Sequence, residues 1–346
     1  MRKIFSFLLV ATLSLSLFAC NPTEEAPAPT SPSEEVVSTP ADKVLFEVGE
    51  SIDPFWQGAL DGVNRAAAEF GFTVDVSEAR GDPSRQKEDI RFAADSGDYK
   101  LIITGAYAMV ESITEAATTY PDQLFIFFDE DVSGYPNIAS VTYDQYEGSF
   151  LAGALAGLIT TSTDQELANP EKVVGFIGGM QDPTVDEFRD GFEAGAKYID
   201  PEIEFLSGYL GSWNDPAKGK EMASAQIEQG ADIIFSVAGG GDNGVFEEVI
   251  DKNLYAVACD VNMNPSYPGH VVTSMIKRAG DSLYQLISLY YQGKLEFGKN
   301  LDFGLKNQGV GLAKDEFYED LVSDAIKERI TQIEQDIDDG KIIVTK

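Results

Sequence analysis

The sequence predicts an α/β protein built from two doubly wound lobes joined by a hinge. From residue 43 onward, short runs rich in β-branched and aromatic residues alternate with longer helical patterns. The short runs are almost continuously apolar, which is typical of parallel strands covered by helices on both faces. There are too many repeats for one compact sheet, and 346 residues are enough for two domain-sized cores.

The first lobe is predicted from the runs that lead up to Tyr143. In chain order, the strands are "KVLFEVGE", "FTVDVSE", "KLIITGA", "LFIFFDED" and "ASVTYD". Helical patterns separate them, and the first runs from about Phe55 to Phe70 and stops at Gly71.

The second lobe follows with the strands "KVVGFIGG", "EIEFLSGYL", "DIIFSVAG" and "YAVACD". After them come "HVVTSMIK", a helix over "AGDSLYQLISLYYQG", the acidic helix "DEFYEDLVSDAIKERITQIEQDIDDG" and a last strand, "KIIVTK". Such a tail suits a chain that crosses back between lobes. We expect a first lobe of residues 42–143 plus about 262–290, and a second lobe of residues 144–261 plus about 291–346.

The N-terminus has the features of a bacterial lipoprotein signal. Two basic residues precede an uncharged apolar stretch that ends in Leu17-Phe18-Ala19-Cys20, which resembles a lipobox. We expect residues 1–19 to be a cleaved signal peptide and Cys20 to carry the lipid anchor. An ordinary signal peptide with a chance cysteine is the alternative. Residues 20–41 are rich in Pro, Ser, Thr and Glu, which predicts a disordered tether.

The composition excludes several classes of function. With 58 acidic and 25 basic residues, the net charge of −33 argues against binding nucleic acid or anionic lipid surfaces. His270 is the only histidine, which removes most Ser-His, Cys-His and multi-histidine metal mechanisms. Cys259 lies in an apolar run and is expected to be a buried core residue. We expect no enzyme activity, no cofactor and no metal; a nucleoside hydrolase that uses paired aspartates is the last alternative.

The candidate site lies where the predicted strands end, because open α/β sheets bind ligands at the carboxyl ends of their strands. The residues there are flat rings, carboxylates, bare backbone and one ammonium: Asp53, Phe55, Trp56, Asp129, Trp213, Gly239, Gly240, Asp260 and Lys277. Rings can stack on a planar base, while carboxylates accept hydrogen bonds from neighbouring sugar hydroxyls. This chemistry suits a nucleoside.

Each candidate also has a structural interpretation. One of Phe55 and Trp56 is expected to be core, and Asp129 and Asp260 could only cap the loops after their strands. The glycine run at 239–241 lacks the spacing of a nucleotide-phosphate loop and could be a tight turn. The segment "MQDPTVDEF" does not match a calcium loop and is interpreted as a solvated helix start.

Five blocks, in order, resemble the basic membrane lipoprotein (BMP) family: "YDQYEGSFLAGALAG", "VGFIGGMQDPTVDEFRDGFEAGAKYIDP", "YLGSWNDPAKGKEMA", "GADIIFSVAGGGDNGVFEEV" and "VTSMIKR". These are purine nucleoside receptor-like substrate-binding proteins of ABC importers, with a fold like that of type I periplasmic-binding proteins. The resemblance implies that Phe55 and Trp213 stack on the base, with Asp53 beside it. It also implies that Asp129, Asp260 and Lys277 hold the ribose, and that Gly239 and Gly240 pass close to the base.

The resulting hypothesis is a monomeric, lipid-anchored protein on the extracytoplasmic side of the cell membrane. It would bind guanosine, inosine or adenosine and deliver the nucleoside to an ABC permease. The alternatives are the same fold binding a sugar or a signalling molecule, or a surface lipoprotein acting as a sensor or adhesin.

Overall fold

The computed structural model describes residues 42–345, so the predicted signal peptide, Cys20 and the whole tether lie outside the described residues. Two six-stranded sheets form in this part of the chain, each with helices packed against it. The predicted α/β class with two doubly wound lobes is confirmed. No helix within residues 42–345 is long and apolar enough to cross a membrane.

The secondary structure alternates regularly along the chain. The strands are β1 (Lys43–Val48), β2 (Thr73–Glu78), β3 (Leu101–Gly105), β4 (Phe125–Phe128), β5 (Ile138–Tyr143), β6 (Val173–Gly178), β7 (Glu204–Tyr209), β8 (Ala231–Val237), β9 (Tyr255–Asp260), β10 (Val271–Lys277), β11 (Asn300–Phe303) and β12 (Val310–Leu312). The helices are α1 (Pro54–Phe70), α2 (Pro83–Ser96), α3 (Val110–Thr119), α4 (Gln145–Thr160), α5 (Pro183–Ile199), α6 (Pro216–Glu228), α7 (Asp242–Asp251), α8 (Ala279–Tyr291), α9 (Glu316–Leu321) and α10 (Asp324–Asp338).

The first sheet has the strand order β11-β5-β4-β3-β1-β2, and each pair of adjacent strands in it is parallel. The second has the order β12-β10-β9-β8-β6-β7 and is parallel except for the β10–β12 pair. Parallel strands need buried faces. Accordingly, Phe46 of β1 joins a core cluster with α1, while the adjacent Leu45 joins a second cluster with residues of α2 and α3.

Four helices begin with the same dipeptide, Asp-Pro. The aspartates Asp53, Asp82, Asp182 and Asp215 are N-caps, and each accepts a hydrogen bond from a backbone amide in the first turn. Proline suits the first helical position, because its fixed φ is already helical and its missing N–H would be unpaired there. Asp53 and Asp182 follow β1 and β6 closely, so their helices start beside the carboxyl ends of these strands.

The chain passes between the lobes at three places. These are the step from β5 to α4, the step from β10 to α8, and the segment between β11 and β12. The first lies between Tyr143 and Gln145. The assignment of 262–290 to the first lobe is wrong for β10, which pairs with β9 in the second sheet, whereas α8 packs on α1. The run "VVTSMIK" predicts a buried strand but does not specify which sheet it joins.

The C-terminal tail also differs from the prediction. The expected strand "KIIVTK" does not form within its described residues, 341–345, and β11 and β12 supply the strands at the sheet edges instead. The assignment of 291–346 to the second lobe is therefore wrong for β11. The acidic helix is split into α9 and α10, because Val322 is extended (φ −95°, ψ 130°) and buried. Burying this β-branched residue outweighs the local helical pattern.

Candidate functional site

The carboxyl ends of both sheets border one cavity. Its wall includes eight of the nine residues predicted from the sequence: Asp53, Phe55, Trp56, Asp129, Trp213, Gly239, Asp260 and Lys277. The ninth, Gly240, lines an adjoining pocket that shares Asp53 and Trp213 with the cavity. The fold thus brings the predicted side chains together, while their role in ligand binding stays a prediction.

A buried ion pair connects the lobes at the cavity wall. Lys277 ends β10 of the second sheet, and its Nζ lies 2.7 Å from Oδ1 of Asp129, which follows β4 of the first. Asp260 Oδ1 is 3.7 Å from the same Nζ. Burial raises the pKa of Asp129 against the opposing pull of the ammonium. Burial alone would lower the pKa of Lys277, but the charges of Asp129 and Asp260 outweigh it and raise that pKa.

The side chains of Asp129 and Asp260 do not behave as loop caps. The hydrogen bond of Asp129 is to Lys277, and Asp260 Oδ2 accepts one from the Cys259 thiol at 3.3 Å. Asp260 Oδ1 is buried without a hydrogen-bond partner among the described residues. That oxygen is available to a donor on a ligand.

Three of the seven non-glycine residues with positive φ in the described part of the chain lie where strands end at the cavity. Asp129 and Asp260 have φ values of 80° and 64°, and Ala106, after β3, has a φ of 67°. Such conformations are unfavourable for residues other than glycine, and they are found most often at functional sites. Here the sharp turns place two carboxylates at the cavity instead of continuing their strands.

Aromatic rings surround the lysine. Lys277 Nζ lies 4.8 Å from the ring centre of Phe55, from the first lobe, and 4.9 Å from that of Phe188, from the second. A cation at this distance is attracted to the ring quadrupole. The sequence analysis missed Phe188, because its spacing on α5 reads as an ordinary core position.

The two tryptophans have different environments. Trp56 is 2% exposed and packs edge-on against Phe46 and Phe128, at centroid distances of 6.0 and 5.3 Å, so it is mainly a core residue. Trp213 is half-buried, lines the cavity from the second lobe, and accepts a hydrogen bond on its carbonyl from Gly240 N at 2.9 Å. The tight turn expected around Gly239 therefore also holds Trp213 in place.

Asp53 belongs both to the cavity wall and to the start of α1. Its Oδ1 accepts the Trp56 amide at 3.0 Å, while a Cβ built on Gly239 would lie 2.8 Å from its Oδ2. The carboxylate therefore approaches bare backbone of the opposite lobe. Burial raises the pKa of Asp53 to about 6, and the charge of Asp260 adds to this effect.

The segment "MQDPTVDEF", interpreted from the sequence as a solvated helix start, instead contributes to the cavity. Asp182 and Thr184 line it, and the Thr184 hydroxyl donates to Glu130 of the first lobe. Burial raises the pKa of Asp182 and of Glu130. The described residues contain no cluster of three or more His, Cys, Asp or Glu side chains arranged to hold a metal ion.

Comparison with known proteins identifies relatives that match the chain across both lobes. Residues 45–341 match the sequence profile of the Bmp family, described as ABC transporter substrate-binding protein PnrA-like. The ABC transporter nucleoside-binding protein BmpA of Lactococcus lactis is 30% identical over 269 residues, 73% of each chain. Basic membrane protein A of Borreliella burgdorferi is 28% identical over 296 residues, 84% of this chain and 83% of that one.

Solved structures share the fold. An ABC transporter solute-binding protein from Aeropyrum pernix has a TM-score of 0.77 at 23% identity and covers 89% of this chain and 94% of its own. AraP, an arabinose-binding protein from Geobacillus stearothermophilus, has a TM-score of 0.61 at 15% identity, covering 82% of this chain and 100% of its own. At these identities the likeness concerns the architecture alone.

Proposed function

Because this chain belongs to the PnrA-like family of ABC transporter substrate-binding proteins, we propose that it captures a purine nucleoside in the cavity between its lobes. As a transporter binding protein it is not an enzyme. The observation that carries the proposal is that rings from both lobes share one cavity with a pair of carboxylates and a buried ammonium. A nucleoside has the matching parts, a flat base and a ribose with neighbouring hydroxyls.

The aromatic residues would bind the base. Phe55 reaches the cavity from the start of α1, and Trp213 reaches it from the turn after β7. A flat heteroaromatic ring that contacts both would gain about 0.5–1.5 kcal/mol per aromatic pair beyond the burial of area. Asp53, beside Phe55, would accept a hydrogen bond from an N–H of the base.

The ribose would bind at the ion pair. Asp129 and Asp260 can accept hydrogen bonds from two neighbouring hydroxyls, and Lys277 can donate to a sugar oxygen. Hydrogen bonds to charged groups contribute about 1.5–3 kcal/mol each. The buried Oδ1 of Asp260 supports this assignment, because a hydroxyl would donate to an oxygen that accepts no hydrogen bond from the described residues.

Capture would work by closure of the lobes. Contacts already join them at the cavity: Lys277 with Asp129, Thr184 with Glu130, and Asp53 beside Gly239. A ligand that contacts both lobes adds interactions available only in the closed form. It therefore shifts the population toward that form, which the permease would recognise.

The charge of the cavity favours a nucleoside over a nucleotide. Five acids line the cavity: Glu50, Asp53, Asp129, Asp182 and Asp260. The one lysine among the lining residues, Lys277, is already paired with Asp129. A phosphate group would be repelled by the excess carboxylates, whereas hydroxyl and N–H donors would be attracted.

Isothermal calorimetry on the purified protein tests the proposal. We expect guanosine, inosine or adenosine to bind, ribose alone to bind far more weakly, and the matching 5′-monophosphates to bind more weakly than the nucleosides. Mass spectrometry of any co-purifying ligand gives an independent identification. Binding of arabinose or another free sugar, with no binding of any nucleoside, would refute the proposal.

We also propose that the protein is held at the extracytoplasmic face of the cell membrane by a lipid on Cys20. The support is the lipobox-like ending Leu17-Phe18-Ala19-Cys20 followed by a Pro-rich segment. Several relatives carry the name basic membrane protein, which agrees with a membrane-associated location.

A further inference from the structure

Gly179, directly after β6, lies against the indole of Trp213. A Cβ built on this glycine would be 2.4 Å from Cε3, 2.7 Å from Cζ3 and 3.0 Å from Cδ2 of the ring. Carbon atoms pack at about 3.5–4.0 Å, so no side chain fits between the two residues. The φ of Gly179 is not positive, unlike that of Gly239, so its requirement for glycine comes from this contact and not from backbone conformation.

Backbone hydrogen bonds hold both Gly179 and the segment that carries Trp213 in place. Gly179 N donates to Val237 O at 2.9 Å, which ties it to the end of β8. Gly179 O accepts from Gly211 N at 2.7 Å and Ser212 N at 3.3 Å, the two residues before Trp213. The carbonyl of Trp213 is held in turn by Gly240 N at 2.9 Å. With its main chain bonded at these points, the tryptophan has little freedom to move away from a larger neighbour.

We propose that Gly179 is a positioning residue that sets how far the Trp213 ring projects into the cavity. The inference rests on the proposed function, since it assigns Trp213 the role of a stacking surface. A methyl group at 179 would displace the ring by about 1 Å, the difference between the 2.4 Å approach and normal contact. Space for a planar base would then be lost, although Gly179 itself need not touch the ligand.

The test compares Gly179→Ala with Gly311→Ala in the full-length protein. Gly311 is a matched control, because it also lacks a positive φ and a Cβ there would meet nothing within 4 Å. With inosine as the probe, we expect the dissociation constant of Gly179→Ala to rise by at least about tenfold, the usual scale for overpacking a tight contact. Gly311→Ala should bind as the wild type does. Equal affinity of all three proteins would overturn the proposal.

A double variant shows whether Gly179→Ala weakens ligand binding by displacing the Trp213 ring. Phenylalanine lacks Cε3 and Cζ3, the two ring atoms that the new methyl would approach most closely, so Gly179→Ala/Trp213→Phe should bind inosine within about threefold of Trp213→Phe alone. If Gly179→Ala weakens binding equally in both backgrounds, the proposal is wrong. Should Gly179→Ala lower the melting temperature, adding Trp213→Phe should restore it, and an unrestored melting temperature would also contradict the proposal.

A ligand-free measurement separates this inference from the proposed function. Trp56 is 2% exposed, so acrylamide quenching of tryptophan fluorescence reports mainly on Trp213. Gly179→Ala should change that quenching without any nucleoside present, and Gly311→Ala should not. If the wild type binds no purine nucleoside but the quenching changes as expected, the proposed function fails and the positioning role of Gly179 stands. Unchanged quenching in Gly179→Ala would refute the positioning role.

Discussion

Ligand affinity should depend on pH through Asp53. Burial raises the pKa of this carboxyl to about 6, so it is ionised at pH 8 and mostly protonated at pH 5. A carboxylate that accepts a hydrogen bond from the ligand must be ionised to do so. Protonation therefore competes with binding, and affinity should fall as the pH is lowered through 6.

The size of the effect follows from the pKa. With a pKa of about 6, a group at pH 5 is ionised in roughly one molecule in eleven, so Asp53 alone contributes a loss of about tenfold in affinity relative to pH 8, and protonation of Asp129, whose pKa burial also raises, adds to this loss. Isothermal calorimetry with inosine from pH 5 to pH 8 measures the change directly. In buffers of different ionisation enthalpy, the same experiment should show protons released on binding below pH 6. Constant affinity across this range would refute the reasoning.

The variant Asp53→Asn tests whether Asp53 causes the pH dependence of ligand affinity. Asparagine caps helices as well as aspartate does, so α1 should be preserved. The hydrogen bond becomes neutral, which costs about 1–1.5 kcal/mol of binding free energy at pH 8. The pH dependence should become shallower, with the remainder due to Asp129, whose pKa is also raised.

Asp82→Asn is the matched control for this variant. Asp82 also N-caps a helix with an Asp-Pro start but is exposed and does not line the cavity. It should leave both affinity and pH dependence unchanged. A pH dependence that is as steep in Asp53→Asn as in the wild type would show that another group is responsible.

Three further predictions concern single residues. Trp213→Phe should keep most of the affinity for inosine, while Trp213→Ala should lose about 1–3 kcal/mol by calorimetry with little change in melting temperature; equal affinity of the alanine variant would contradict the stacking role. Asp260→Asn should weaken nucleoside binding by at least about 1.5 kcal/mol, because a charge-assisted bond to the ribose is lost, whereas a large drop in melting temperature alone would indicate a structural role. Cys20→Ser should abolish lipid labelling in cells, and a variant still lipid-modified in the membrane fraction would disprove the anchor.

Much of the site could be predicted because strand ends are readable in the sequence. An apolar run that stops at an aspartate, as β4 does before Asp129, marks the carboxyl edge of a parallel sheet whichever lobe it joins. Lobe membership was harder to predict, since β10 is buried over all seven residues and would suit the centre of either sheet. Its partner is decided by the register with β9 and by the path of the chain, neither of which leaves a local pattern.

Two of the residues missed in the sequence lie on a helix. Thr184 and Phe188 are one turn apart on α5, and that spacing is the same for a core position and for a position facing a cavity. A partial signal was nevertheless present in Asp182-Pro183, which repeats the pattern of Asp53-Pro54, although Asp82-Pro83 has the same pattern and does not line the cavity. An aspartate that caps a helix soon after a strand ends holds the first turn of that helix at the carboxyl edge of the sheet. The Asp-Pro pair that precedes Phe55 in the first lobe is thus matched by the pair at the start of α5 in the second, where Asp182 and Thr184 complete the wall of the cavity.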